Sequence, residues 1–192
     1  MNAGTLNSGS EQDLVRKVRE HDKTAIKTLY GQYVGYLTAV CARYIPDDDD
    51  VEDVLQEAFV KIFGSMDKFT WRGEGSLKAW MTRIVVNDSL KALRRSRTPL
   101  RAAVPLSPSL AEESAEEPEF DAVPLPVIQD MIRRLPDGYR TVFNLFVFED
   151  KSHKEIASLL GIKENSSASQ LFHAKALLGK WIKEYIKLND NG

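Results

Sequence analysis

The chain has 192 residues, with 26 Lys and Arg set against 28 Asp and Glu and a formal net charge of −2. That balance argues against a stand-alone DNA-binding protein, because phosphate neutralisation supplies much of such a protein's affinity; if this chain meets nucleic acid, a partner brings it there. The single cysteine, Cys41, excludes an internal disulfide and fits a reducing compartment.

In chain order, residues 11–97 read as almost continuous helix. The first pieces span residues 11–20 and 22–44, the second with Ala25, Ile26, Leu29, Tyr33, Leu37 and Val40 on one side. Pro46 and the acids of residues 47–50 break the pattern. One of those aspartates can cap the next helix, and the rest suit its positive N-terminal end. A calcium loop would need alternating ligands and a central glycine, which this run lacks. Residues 50–63 then form an acidic amphipathic helix, its apolar face made by Val51, Val54, Leu55, Ala58, Phe59, Ile62 and Phe63. Gly64 closes it. Gly73 and Gly75 bracket a turn, and Ser76 is the expected N-cap of a helix over residues 76–97. Leu77, Trp80, Met81, Ile84 and Val85 form the buried stripe of that helix, with Trp80 read as a core anchor. Arg83, Asn87, Lys91, Arg94 and Arg95 step along another face.

The composition changes over residues 98–126. Six of the eight prolines lie here, and residues 102–126 carry six acids and no Lys or Arg. Such a stretch cannot bury enough apolar surface to offset ordering, so it reads as a flexible acidic linker. The simpler role is a solvated tether; the sharper one is mimicry of nucleic acid inside a basic channel. A second helical unit begins at Val127 and is interrupted by Pro136. Ser152 with Glu155 three residues on is a capping box. The helix it opens stops at Gly161, and a polar stretch over residues 163–167 leads into a last helix ending near Lys187. A short helix, a glycine turn and a second helix have helix-turn-helix spacing.

Other chemistry finds little support. His21, His153 and His173 with one cysteine give no metal-ligand spacing, and no glycine-rich phosphate loop or nucleophile motif occurs, so no metal, cofactor or catalytic activity is expected. Residues 1–10 have neither a basic n-region nor an apolar h-region. No apolar run approaches the roughly 20 residues that span a bilayer. The expectation is a cytoplasmic protein without membrane insertion.

The stretch Asp50-Val51-Glu52-Asp53-Val54-Leu55-Gln56-Glu57-Ala58-Phe59-Val60-Lys61-Ile62-Phe63 resembles the core-polymerase-binding helix of bacterial sigma factors. Residues 69–97, with Gly75-Ser76-Leu77-Lys78-Ala79-Trp80, Asn87 and Arg94-Arg95, resemble the adjoining promoter-melting segment. Leu135-Pro136-Asp137-Gly138-Tyr139-Arg140 and Ile156-Ala157-Ser158-Leu159-Leu160-Gly161 resemble the domain that reads the −35 element. Short length and a linker in place of a middle domain point to the extracytoplasmic-function (ECF) class.

The resemblance implies an all-α protein of two small helical domains: residues 11–97 for polymerase binding and promoter melting, and a helix-turn-helix over residues 127–188 for the −35 element. It implies that Glu52, Asp53, Gln56 and Glu57 dock on core RNA polymerase. Phe69, Trp71, Arg72 and the loop up to Ser76 would capture a flipped base of the −10 element. Aromatic faces and cations suit that task, while Asn87 can bond a base edge and Arg83, Lys91, Arg94 and Arg95 can contact phosphates. In the recognition helix several of the family's positive charges are missing, leaving Ser166, Ser169, Gln170, His173 and Lys175 as candidates for promoter DNA; Gln170 could pair bidentately with adenine. The resemblance further implies a membrane-tethered anti-sigma factor covering the polymerase-binding surfaces of both domains. Two competing readings are a helix-turn-helix regulator that binds DNA without polymerase, which the overall acidity disfavours, and a helical adaptor without nucleic-acid contacts, which the alternation of acidic and basic faces disfavours.

Overall fold

A computed structural model describes residues 8–95 and 123–189. Most of the expected linker, together with Arg97, lies outside the described residues. The chain divides into two compact units, Met1–Ala92 and Leu93–Gly192. All regular structure among the described residues is helical.

In the first unit, α1 (Ser8–Arg19) and α3 (Asp48–Gly64) both pack against α2 (Lys23–Ala42). Local chemistry sets each boundary. Between α1 and α2, His21 adopts a left-handed φ of 59°, and the Asp22 carboxylate accepts the Ala25 N–H at 2.7 Å as the N-cap of α2. Asp47 caps α3 by accepting from the N–H groups of Asp49 and Asp50, and Asp48, Asp49 and Asp50 place negative charge at the positive end of the helix. The buried face of α3 is Val51, Val54, Leu55, Ala58, Phe59 and Ile62, each larger side chain contributing about 1.5–3 kcal/mol by leaving water. A 3-10 turn, Met66–Lys68, leads to the loop before α4 (Ser76–Arg95).

Leu77, Met81 and Val85 of α4 are fully buried, while Trp80 and Ile84 are only half-buried. The expected N-cap moves by one residue. The Gly75 carbonyl accepts the Ala79 N–H, so Gly75 holds the cap position, and its φ of 77° suits a residue without Cβ.

The second unit contains α5 (Leu125–Arg133), α6 (Asp137–Val147), α7 (His153–Leu160) and α8 (Glu164–Asn189). Helix α5 begins two residues earlier than Val127, because Pro126 lies in its first turn, where a missing N–H costs nothing. Val123 is buried in the core of this unit with Met131, Ile132, Leu135, Tyr139, Ala174, Leu178 and Ile182. The folded unit therefore reaches into the C-terminal end of the stretch read as linker. Arg140, only 2% exposed, donates to the carbonyls of Arg133 (3.0 Å) and Leu135 (2.9 Å) and pairs with Asp137. It thus satisfies carbonyls at and just beyond the end of α5. The Ser152–Glu155 capping box starts α7, and Gly161 ends it at a φ of 65°.

Candidate nucleic-acid interface

The core-facing apolar residues of α3 leave Glu52, Asp53, Gln56 and Glu57 exposed together on the opposite face. Val60 joins them at 73% exposure, an apolar residue that stands outside the buried period and so could have been found from the sequence. Lys61 connects this helix to the next: its ammonium lies 2.5 Å from Asp88 on α4 and 3.8 Å from Glu57. Asp88 is thereby turned inward, and its neighbour Asn87 faces solvent.

On α4, Arg83, Asn87, Lys91, Arg94 and Arg95 are all exposed. Trp80 lies against Phe69, ring centroids 5.2 Å apart, in keeping with an anchor role. The structure corrects the expectation for Phe69 itself. It is 4% exposed, because its ring fills the space beside Trp80 while Arg19 of α1 donates to the Phe69 carbonyl at 2.5 Å. Phe69 is a packing residue and offers no face to a base. Ser76 is also occupied: its hydroxyl donates to the Gly73 carbonyl (2.7 Å) and accepts the Arg72 N–H (3.2 Å), closing the loop on itself. Arg72 remains exposed, and Trp71 is half-buried with its indole N–H donating to Glu11 at 3.3 Å. Beside Trp71, an open groove of about 480 Å³ runs between α1 and the loop, lined in part by Arg16, Arg19, Thr70 and Trp71.

In the second unit, α7, the glycine turn and the start of α8 form the helix-turn-helix. His153 fixes their junction, stacking on Phe146 at 4.9 Å while its Nδ1 lies 3.0 Å from the buried Ser167 hydroxyl. The structure corrects the expectation for Gln170. It is 4% exposed and shares the core face of α8 with Ser167, Leu171 and Ala174, so its amide cannot reach a base edge without leaving the core. Ser169 and Lys175 are exposed, whereas Ser166 and His173 are half-buried, His173 against Tyr139 at 5.6 Å. The solvent face of the same turns carries Asn165, Ala168 and Phe172, the last 48% exposed; counting three or four residues outward from Ser169 would have found Asn165 and Phe172, and three on from Asn165 would have found Ala168.

Two family descriptions match, in this order along the chain: Sigma-70 region 2 over residues 29–98 and Sigma-70, region 4 over residues 126–178. The chain belongs to the sigma-70 family. Among its relatives, the RNA polymerase sigma-H factor of Pseudomonas aeruginosa is 28% identical over 193 residues, covering 95% of this chain and 98% of that protein. The ECF RNA polymerase sigma-E factor of Haemophilus influenzae is 27% identical over 184 residues, covering 88% and 93%. A solved structure, the sigma factor RpoE in complex with the anti-sigma factor NepR from Bartonella quintana, is similar at 19% identity and a TM-score of 0.48, covering 82% of this chain and 96% of that one. This sigma factor is of the ECF type and directs core RNA polymerase to promoter DNA. The two matched regions do not favour the stand-alone regulator or the adaptor. Among the described residues, no cluster of His, Cys, Asp and Glu could hold a metal ion, and no helix is long and apolar enough to cross a membrane.

Proposed function

We infer that this sigma factor divides promoter opening among three surfaces. Glu52, Asp53, Gln56 and Glu57, with Val60 as an apolar centre, dock on core RNA polymerase. Arg83, Asn87, Lys91, Arg94 and Arg95 follow the −10 region, and Trp71 with Arg72 holds the melted strand. Ser169, Phe172 and Lys175 of α8 meet the −35 element, Phe172 suiting a thymine methyl group. The observation that carries the reading is the segregation of an acidic face on α3 from a basic, Asn87-bearing face on α4. An acidic face repels DNA and suits a basic protein partner, and the adjacent stripe has the opposite preference.

The corresponding domain bounds are residues 11–97, a tether from residue 98 on and, with Val123 already in its core, a second domain over residues 123–188. The protein acts in the cytoplasm and has no catalytic activity of its own, since RNA synthesis belongs to the polymerase. An anti-sigma factor, tethered to the membrane, controls it by covering the polymerase-binding surfaces.

Run-off transcription with purified core polymerase, with and without this chain, tests the function. Promoter-specific transcripts should appear only when the chain is added. Promoter binding by the chain alone, with no specific transcript in the presence of core, overturns the reading.

A further inference from the structure

The loop that carries Trp71 is tied to α1 at two points. Arg19 donates to the carbonyls of Met66 (3.2 Å) and Phe69 (2.5 Å), fixing the approach to the loop. Further along, Glu11 accepts two hydrogen bonds from different elements: Tyr33 of α2 donates its hydroxyl at 3.1 Å, and Trp71 donates its indole N–H at 3.3 Å. Glu11 is 7% exposed. A carboxylate shielded from water needs its oxygens satisfied, and here each oxygen takes one donor. Burial, followed by the nearby Glu11 charge, pushes the Tyr33 phenol up to about 12, so Tyr33 stays a donor at physiological pH. The indole ring is thus held by its N–H edge, and part of its surface lines the groove between α1 and the loop.

We propose that Glu11 is a positioning residue for promoter opening: by holding the Trp71 N–H it pre-sets the orientation in which the ring receives an unstacked base of the melted strand. This rests on the reading of Trp71 as a strand-capturing residue. A side chain that is already oriented does not have to be ordered when the strand binds, so the tether acts on strand affinity. The hydrogen-bond partners of Glu11 lie on α2 and the loop, not on α3, whose exposed face is read as the polymerase-docking surface.

The test uses holoenzyme assembled from core polymerase and the full chain. The probe is a fluorescent single-stranded oligonucleotide carrying the non-template −10 segment of a promoter selected by the wild-type holoenzyme. Glu11→Leu should weaken strand binding about ten-fold, the worth of one hydrogen bond to a charged group, with affinity for core unchanged. Glu11→Gln keeps a carbonyl oxygen for Trp71, and the Tyr33 hydroxyl can turn to accept from the new amide, so this variant should stay near wild type. Trp71→Phe keeps a ring without the donor and should reproduce the loss; adding Glu11→Leu to it should weaken strand binding no further. If Glu11→Leu does not fold, Trp71→Phe decides alone. Wild-type strand binding by Trp71→Phe, or an undiminished Glu11→Leu effect in the Trp71→Phe background, overturns the proposal. Trp71→Ala separates the two ideas. If it leaves strand binding intact, the capture role of Trp71 fails; if it weakens binding while Trp71→Phe does not, only the tether fails.

Discussion

The two units bury different kinds of side chain. In the first, the buried set is almost wholly apolar, and the buried polar residues among those described are Glu11 and Ser89. In the second, Arg140, Thr141, Asn144, Ser167 and Gln170 are all enclosed, and the core face of the recognition helix is itself partly polar. An apolar core tolerates much change on its surface, because burial is non-directional. Arg140 on the Arg133 and Leu135 carbonyls and Ser167 beside His153 Nδ1 each hold one geometry, which favours a single well-defined arrangement and makes this core less forgiving. For a helix that must present a few side chains to base edges, such definition is useful. For a surface docking on a protein through charge, it matters less.

The largest expected effect tests the tolerant side of this contrast. Asp53→Arg combined with Glu57→Arg reverses charge on an exposed face and leaves every buried side chain in place. Polymerase affinity should fall at least about 100-fold, since like charges facing across an interface cost several kcal/mol. Circular dichroism should report native helicity and an unchanged melting temperature. Unchanged affinity in a pull-down with a native fold would remove α3 from the interface.

The less forgiving side is tested next by Arg140→Leu. The substitution leaves the Arg133 and Leu135 carbonyls without their donor and Asp137 without its partner. Removing one member of a buried ion pair should cost about 3 kcal/mol of stability in the second unit. Denaturant unfolding would read it, and a loss below about 1 kcal/mol, the range of an exposed pair, would show that the Arg140 network is not structural.

Much of the first unit was legible in the sequence, because each helix buries one apolar face between recognisable boundaries. Asp47 caps α3 and the acids beyond it suit a helix start; Gly73 and Gly75 mark the turn before α4. The same clarity gave the capping box at Ser152 and the stop at Gly161. Phe69 was misread because an aromatic residue in a glycine-rich loop has no period to reveal its burial. Its fate is decided by Trp80 and by Arg19, which lies 50 positions earlier. Glu11 gave no signal for a similar reason, its donors being 22 and 60 positions away. Gln170 was misplaced because the N-terminal half of α8 buries Ser167 and Gln170 where an apolar stripe would have shown the helical phase.

That misplacement can be tested directly, and the expected effect is smaller than that of Arg140→Leu. Phe172→Ala should relax preference at one −35 position by about 1–2 kcal/mol, the worth of a lost apolar group in a recognition contact. Gln170→Ala should lower the melting temperature of the second unit and leave sequence preference where it was. Selection from a promoter library randomised over the −35 element distinguishes them. A changed consensus with Gln170→Ala and an unchanged one with Phe172→Ala would restore the register in which Gln170 reads a base.

The smallest effect concerns the cap that opens the helix-turn-helix. In the box, the Ser152 hydroxyl accepts the Glu155 N–H while the Glu155 carboxylate accepts the Ser152 N–H at 2.9 Å and its hydroxyl at 2.8 Å. Ser152→Ala should destabilise the second unit by about 1 kcal/mol, the usual worth of an N-cap hydroxyl. The backbone hydrogen bond from Ser152, followed by the hydroxyl, holds the Glu155 carboxyl below its ordinary value. A carboxyl whose folded-state value is depressed contributes stability above its unfolded-state value and loses it as pH falls through the folded one. The difference between wild type and Ser152→Ala should therefore be full at neutral pH and shrink in acid, below the ordinary glutamate range. Thermal melts across that interval measure it. A difference that stays constant into strong acid would mean that the Glu155 charge takes no part, and that the hydroxyl alone holds the start of α7.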